Sequence, residues 1–389
     1  MCNTFKRILK NYTGARHLVA LLIAVLFATL GANAEFVVVG KISYGVNSTT
    51  QTAYVDGSDD DIITANIQSS ITYNGRDYPV TSIASNAFSW CTTLTTVNIP
   101  ISVTKINSNA FSGCTSLRSI YIHSQVTAIG TQAFNGCTGL TSVSIGSACT
   151  SIGDYAFQNC AALTTIVIGA AVASMGKYVF AGCKSLTSLT LPASLTTIGA
   201  YALKNCTALK SLTIADGNNN LTVGTGWLSG TPLQKVTYGR ATVAEKLFYN
   251  VSTLNEVTLT AAVKTVSTQA FDMCPELASF TCNGTTAPTA MHSVDQQQFT
   301  DGVFTTATLY VPTAAVSTYR AAHCWGTFVN IAEIGSAGVD DIICDNNDDT
   351  HKNIYNLHGV LIQGAADKET IDNLPRGIYI IGKSKVLKQ

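Results

Sequence analysis

Charged residues are scarce in this sequence. Only 12% of its 389 residues are Asp, Glu, Lys or Arg, about half the share of an ordinary soluble domain. The 23 basic and 23 acidic residues cancel, so the chain lacks the basic excess with which proteins bind nucleic acid. The hydrophobic share of 46% excludes a chain that is disordered throughout.

Motifs for catalysis, cofactors and metals are also missing. The twelve cysteines contain no C-x-x-C pair, which argues against a zinc ribbon or finger. His323 beside Cys324 has no second base at a recognisable spacing, and residues 345–349 lack the glycine and final glutamate of an EF-hand loop. Residues 81–280 contain six acidic side chains, little material for general acid–base chemistry. We therefore predict a non-enzyme with no cofactor and no metal.

The first 34 residues resemble a targeting segment. Four basic residues open the chain: Lys6, Arg7, Lys10 and Arg16. An apolar run at 18–30 follows, and then the small-x-small pattern Ala32-Asn33-Ala34, which is typical of a signal peptide. The run is shorter than the roughly 20 residues of a bilayer span, which disfavours the alternative of a retained membrane anchor. We expect cleavage before Glu35 and a secreted or cell-surface protein.

The middle of the chain is periodic. An aromatic or leucine residue, which we call the anchor, recurs every 23 residues at Phe88, Phe111, Phe134, Phe157, Phe180 and Leu203. Looser spacing then brings Leu228, Phe248 and Phe271, giving nine units. Each strict anchor is followed by a leucine six residues later and by apolar residues nine and eleven residues later. This is leucine-rich repeat spacing, and the alternation predicts a short strand with one buried face.

A unit of 23 residues cannot enclose a core alone. Stacking places each apolar position against its counterpart in the next coil, at about 4.8 Å along a parallel sheet. The predicted fold class is an α/β repeat solenoid. It is a right-handed leucine-rich repeat coil with a parallel sheet on one face, a β-rich N-terminal cap and a small β C-terminal module. Turns and short helical pieces around the anchors should form the opposite side.

The repeats carry a specific resemblance. "VTKINSNAFSGCTSLRSIYI" and "LTTIGAYALKNCTALKSLTI" resemble the BspA-like leucine-rich repeats of bacterial surface proteins of the Bacteroides type, and the resemblance covers roughly residues 60–335. It implies an adhesin-like surface protein that binds host matrix proteins, other bacteria or mucosal glycans. The tail "IYNLHGVLIQGAADKETIDNLPRGIYIIGKSKVLK" is similar to the C-terminal modules of exported Bacteroidetes proteins related to type IX sorting tails. That likeness implies outer-membrane export machinery as a partner.

The flanks divide the chain into six predicted segments. These are a signal peptide (1–34), an N-terminal β cap (35–80), the solenoid of about nine units (81–283), a C-terminal cap (284–335), a linker (336–353) and a small β C-terminal module (354–389). Caps are expected because the first and last coils otherwise expose apolar ends. Asn74-Gly75 between extended runs predicts a hairpin in the first cap. The alternative for residues 35–80 is a separate binding module.

Cysteines recur three residues after most anchors. They are Cys91, Cys114, Cys137, Cys160, Cys183, Cys206 and Cys274. Disulfides between adjacent coils are disfavoured, because Cβ atoms in such a column run parallel instead of converging to about 3.8 Å. We predict small buried hydrophobic residues. A serine at Cys160 should then cost about 1–3 kcal/mol, because its hydroxyl would have no assured partner.

What remains is the outer surface of the predicted sheet, which we call the strand face. It consists of the side chains eight and ten residues after each anchor, most of which are Ser or Thr. The candidate binding residues are Thr96, Asn98, Ser119, Tyr121, His123, Ser142, Ser144 and Thr165, with Tyr121 and His123 expected to project. Aromatic residues are enriched at binding hot spots, so we predict binding of an extracellular protein or glycan. The alternative is a structural component of the cell envelope, in which the hydroxyls serve solubility alone.

Overall fold

The computed structural model describes residues 35–217, 220–290, 299–300 and 302–334, together with the backbone of four C-terminal strands. The predicted signal peptide and the oxygen-rich run at 345–349 lie outside the described residues. Within the described part, no helix is long and apolar enough to cross a membrane.

Most coils contribute two short strands, and strands of successive coils pair in parallel. With strands numbered in chain order, the first column contains β8 (Lys105–Ile106), β10 (Ala128–Ile129), β12 (Ser151–Ile152), β14 (Ser174–Met175), β16 (Thr197–Ile198), β18 (Thr222–Val223), β20 (Thr242–Val243), β22 (Thr265–Val266) and β24 (Thr289–Ala290). The second column contains β4 (Thr64–Asn66), β7 (Thr96–Asn98), β9 (Ser119–Ile122), β11 (Ser142–Ile145), β13 (Thr165–Val167), β15 (Ser188–Leu191), β17 (Ser211–Gly217), β19 (Lys235–Arg240), β21 (Glu256–Leu259), β23 (Ser279–Cys282), β25 (Thr308–Val311) and β26 (Asn330–Glu333).

These columns form a parallel-strand solenoid of about 12 turns. The repeat coil predicted from the 23-residue period is therefore confirmed. The nine anchored units supply nine strands of the second column, from β7 to β23. The column is longer than the anchors indicated because β4 precedes them and β25 and β26 follow.

The amino-terminal strands are continuous with the first column. The first pairs are antiparallel: β1 (Phe36–Val39) pairs with β2 (Ile42–Asn47), and β2 pairs with β3 (Thr52–Ser58). β5 (Ser70–Tyr73) and β6 (Arg76–Ile83) form the predicted hairpin. Its turn residues Asn74 and Gly75 both have positive φ, 50° and 74°, as a type I′ turn requires. Because β6 pairs in parallel with both β3 and β8, the sheet passes from these strands into the coils.

The five phenylalanine anchors from Phe88 to Phe180 form a column of stacked rings in the core. From Phe88 to Phe180, successive ring centroids lie 5.1–5.6 Å apart, and the rings are fully buried. Stacked aromatic pairs contribute about 0.5–1.5 kcal/mol each beyond the burial of their area. The strict spacing of the anchors in the sequence therefore corresponds to a continuous stack in the fold.

The segments around the anchors are turns. The prediction of short helical pieces there is therefore wrong. Residues two before and two after an anchor have positive φ, as in Gln132 (57°) and Gly136 (71°), which a right-handed helix cannot accommodate. Their amides are also used between coils, because Phe134 N–H donates to Ala156 O at 2.8 Å. In the described residues, helices occur only in the carboxyl-terminal part. They are α1 (Val303–Thr306), α2 (Val316–Ala321) and 3-10 turns at Thr313–Ala315 and Trp325–Thr327.

The cysteine column is buried and unbridged. All ten cysteines among the described residues are buried and none forms a disulfide, as predicted. Every column thiol after Cys91 also donates to the anchor carbonyl of the preceding coil, as Cys160 Sγ does to Phe134 O at 3.2 Å. The expectation that a hydroxyl at position 160 would lack a partner is therefore wrong, because a carbonyl oxygen already faces this position. Burial raises the pKa of the Cys137 thiol to about 12.

The last coils end in an aromatic cluster. Trp325 is fully buried and donates its indole N–H to Pro288 O at 2.6 Å, while the Tyr319 hydroxyl donates to Gly284 O at 3.1 Å. Further along the chain, four strands form a separate antiparallel sheet. They are β27 (Lys352–Tyr355), β28 (Leu361–Ala366), β29 (Gly377–Ile381) and β30 (Ser384–Lys388).

Candidate binding face

The second column positions the strand face. Along β9, β11 and β13 the register aligns Ser119 with Ser142 and Thr165 in one row. It aligns Tyr121 with Ser144 and Val167 in the next. Residues between these positions point into the core, so Ile120 and Val143 are buried. The predicted alternation is what brings the outward side chains into rows.

Two apolar side chains project from this face on either side of a small one. Tyr121 is 67% exposed and Val167 is 57% exposed. Ser144 is half-buried between them. Since each strand interval is about 4.8 Å, Tyr121 and Val167 stand roughly 10 Å apart with a one-coil notch over Ser144. Tyr121 is one of the predicted binding residues and Val167 is not, although its place ten residues after Phe157 already puts it among the outward positions.

The remaining candidates surround this notch. Thr96, Asn98, Ser119 and Thr165 are exposed, and Ser142 is half-buried. The Asn98 side-chain amide donates to Asn66 Oδ1 at 2.5 Å, so this asparagine is held against its neighbour in β4. The face therefore brings together all the candidates except His123.

His123 is not part of the exposed face. It was expected to project, but it is only 5% exposed. The alternation ends with β9 at Ile122, and the chain then turns. His123 Nε2 lies 2.8 Å from Pro100 O, and Nδ1 accepts the Gln125 N–H at 3.2 Å. The ring fills the corner of the coil, which is why the prediction for this residue is wrong.

The hydroxyls of the strand face differ from other hydroxyls of the coils. The threonine seven residues after an anchor bonds to the preceding coil, as Thr141 does to Arg118 O at 2.9 Å and Thr164 to Thr141 O at 3.1 Å. Within the described residues, the hydroxyls of Ser119, Ser144 and Thr165 make no such bond to protein. The fold uses the first set internally and leaves the second set for water or a ligand.

Charge is concentrated at one end of the face. From β7 to β17 the outward positions carry no charged side chain. The first outward charges are Lys235 on β19 and Glu256 on β21, which pair at 2.6 Å. Among the described residues, no group of three or more His, Cys, Asp or Glu side chains could hold a metal ion. The outward positions around Ser144 are therefore neutral and rich in hydroxyls.

The repeats identify the family. The model of the BspA type leucine rich repeat region matches residues 64–187 and 173–300 with six copies. The chain belongs to this family of leucine-rich repeat proteins. No curated protein gives a significant match to the chain.

Solved structures of several leucine-rich repeat proteins are similar to this chain. A leucine-rich repeat protein from Bacteroides ovatus is 24% identical over 73% of this chain and 96% of its own, with a TM-score of 0.35. A leucine rich cell surface protein from Faecalibacterium prausnitzii is 20% identical over 78% and 95%, with a TM-score of 0.38. The leucine-rich repeat protein of T. pallidum is 23% identical over 61% and 87%, with a TM-score of 0.37.

Proposed function

We propose that this chain is an exported surface recognition protein, adhesin-like, that binds an extracellular protein or glycan through its strand face. It acts by binding and not by catalysis. Three features support the proposal: membership of the BspA type repeat family, the leader pattern before Glu35, and the long neutral face. The C-terminal tail would engage the outer-membrane export machinery.

The single observation that carries the proposal is the notch between Tyr121 and Val167. A tyrosine that is 67% exposed offers a flat ring for a sugar or a peptide side chain. The unbonded hydroxyls of Ser119, Ser144 and Thr165 supply donors and acceptors around it, and such short side chains lose little entropy when they bind. Because the outward positions around this notch are uncharged, binding should depend only weakly on salt.

The test is capture of ligands by the mature chain on arrays of glycans and extracellular matrix proteins. Tyr121→Ala should weaken binding by about 1–2 kcal/mol if the ring is a hot spot, and Ser144→Lys should abolish it by filling the notch. Ser279→Lys, which lies on the same face several coils away, is the matched control and should retain full affinity. Unchanged binding in both notch variants would exclude this site.

The second candidate function is a structural spacer of the cell envelope. The use of threonine hydroxyls for contacts between coils favours it, since a spacer needs stiffness and no ligand. Failure of the wild-type chain to bind any arrayed glycan or matrix protein would support the spacer.

Export has its own test. Protein isolated from its native envelope should begin at or within a few residues of Glu35, as read by mass spectrometry of the amino-terminal peptide. An intact Met1 in the membrane fraction would overturn the predicted cleavage.

A further inference from the structure

A second surface of the solenoid has different chemistry from the strand face. Tyr155, Tyr178 and Tyr201 each lie two residues before an anchor, on the turns that follow β12, β14 and β16. Their rings stack with centroids 5.2 Å and 5.1 Å apart, and all three residues are partly exposed. We call them the tyrosine ladder. Because ring faces cover one another, the ladder presents ring edges and phenol groups to solvent.

The coil does not require aromatic residues at these positions. All three tyrosines have positive φ, from 55° to 58°, a region that bulky side chains adopt at a cost of order 1 kcal/mol or more. Other coils place smaller or more flexible residues there with similar φ, namely Asn86, Asn109, Gln132, Gly226, Lys246 and Gln269. The aromatic choice in three consecutive coils therefore reflects what the side chains do.

The ladder lies in a part of the solenoid that carries a net positive charge. Residues 154–216 contain four lysines and two aspartates, Asp154 and Asp216, one at each end. Lys177 Nζ lies 5.6 Å from the centroid of the Tyr155 ring, and Lys204 Nζ lies 5.2 Å from that of Tyr201. Lys177 also approaches Asp154 at 3.7 Å, but its side chain remains 51% exposed. Among the described residues, no acidic side chain forms an ion pair with Lys204.

We propose that the tyrosine ladder with Lys177 and Lys204 binds an anionic polysaccharide of the uronate class. The ammonium groups accompany the first and third rings, which are two coils apart. In an extended twofold β-1,4-linked chain, each sugar advances by nearly the ring spacing, and carboxylates of alternate sugars point to the same side. Two such carboxylates can therefore meet the two lysines, while phenol groups bond to the sugar hydroxyls between them.

The spacing favours a polysaccharide over an acidic peptide. Side chains on one side of an extended peptide repeat about every 6.6–6.8 Å, which falls out of step with rings that repeat every 5.2 Å. A uronate chain stays in step over all three coils. This proposal is independent of the strand face, which is neutral and lies on other residues.

The test is calorimetric titration of the mature chain with a β-1,4-linked mannuronate hexasaccharide. The neutral mannohexaose of the same linkage is the ligand control, and hexaglutamate is the peptide control. We expect binding of the mannuronate alone, weakening as salt rises from 50 to 300 mM because charges are screened. Lys177→Gln combined with Lys204→Gln should weaken it by about tenfold or more, since both charge-assisted contacts are lost.

Two further variants make the result specific to the ladder. Tyr178→Phe keeps the stacked ring and removes only the phenolic hydroxyl, so it should fold normally and bind about threefold more weakly. Lys105→Gln removes an exposed lysine elsewhere, so it should bind as the wild type does. No mannuronate binding by the wild type, tighter binding of hexaglutamate, or full affinity in the double lysine variant would overturn the proposal.

Discussion

The strict coils, residues 81–214, and the irregular coils, residues 215–290, build the same solenoid with different side chains. In the strict coils, five of the six anchors are phenylalanines whose stack is uninterrupted from Phe88 to Phe180. The stack ends at the last strict anchor, Leu203. In the irregular coils the anchor Leu228 follows, and stacking resumes between Phe248 and Phe271 at 5.4 Å. The anchor position must be filled by a large apolar side chain, and either phenylalanine or leucine can fill it.

The cysteine position shows this most clearly. Thr231 stands three residues after the anchor Leu228, where the strict coils have cysteine, and donates its hydroxyl to Leu203 O at 2.5 Å. In the next coil Val251 fills the place with no polar group. The site therefore selects small size first and a donor to the preceding anchor carbonyl second. A preference for thiols alone would not explain Thr231.

The two regions also differ in the burial of charged side chains. The side chain of Arg240 is fully buried and donates to two carbonyl oxygens from the strict coils, Ala193 O and, at 2.6 Å, Pro192 O. It reaches across the coil between them, where Gly217 leaves room because any Cβ would collide with the guanidinium. Hydrogen bonds from this one irregular residue thus join its own coil to a strict coil, across the coil that contains Gly217.

The largest effect that we expect is a loss of stability at alkaline pH, which should fall mainly on the strict coils because they hold most of the buried thiols. Burial raises the pKa of Cys137 and Cys206 to about 12, and raises that of Cys160 and Cys183 well above its ordinary value of 9.0. The unfolded thiols ionise first, so stability is intact below pH 9 and falls as pH rises toward the folded values. At pH 10 the loss is on the order of 1 kcal/mol for each such thiol.

Urea unfolding at pH 7.5 and pH 10 measures this loss. A variant with serine at Cys137, Cys160 and Cys183 cannot ionise at those positions, so it should lose roughly 3 kcal/mol less between the two pH values. Trypsin cleavage during the transition should begin in the strict coils, which hold most of the buried thiols. An identical pH dependence in the variant and the wild type would contradict the expectation.

The next effect concerns the guanidinium that joins the two regions. Arg240→Met removes the donors to Pro192 O and Ala193 O and should lower the free energy of unfolding by about 2–3 kcal/mol. Arg240→Lys should recover only part of this, because one ammonium cannot reproduce the fork of a guanidinium. Hydrogen exchange should show the loss locally, around residues 192–217. Wild-type stability in Arg240→Met would mean that the contacts between these coils do not depend on the guanidinium.

A smaller effect separates size from hydrogen bonding at the cysteine position. Cys160→Ser keeps a donor facing Phe134 O and should cost less than about 1 kcal/mol, whereas Cys160→Ala loses the donor and leaves a small cavity, about 1–2 kcal/mol. Thr231→Cys, the reciprocal change in the irregular coils, should be nearly neutral. Thermal unfolding of the four proteins ranks them, and a serine variant less stable than the alanine variant would refute the donor account.

The sequence predicts the coil but not the use of each polar group. The period from Phe88 to Leu203 determines the register of every strict coil, because stacking leaves only one arrangement in which all apolar positions meet. The fate of His123 was hidden, since alternation predicts side-chain direction only while the strand lasts. The carbonyl facing Cys160 was hidden too, because it comes from the preceding coil. The tyrosine ladder was visible as three tyrosines 23 residues apart, and only the fold gives their stacking.

The smallest expected effect concerns an exposed ion pair. It tests whether exposed charges stabilise the irregular coils as the buried Arg240 does. Lys235 and Glu256 pair at 2.6 Å on the strand face, but their side chains are 49% and 37% exposed. Solvent screens such a pair, so Glu256→Gln should change the free energy of unfolding by no more than about 0.5 kcal/mol. The change should shrink further in 0.5 M NaCl, where the screening length is only a few ångströms. Urea titrations at low and high salt measure it beside Arg240→Met, whose buried contacts should respond much less to salt. A loss above 1 kcal/mol in Glu256→Gln would mean that this pair, like Arg240, helps to hold the irregular coils together.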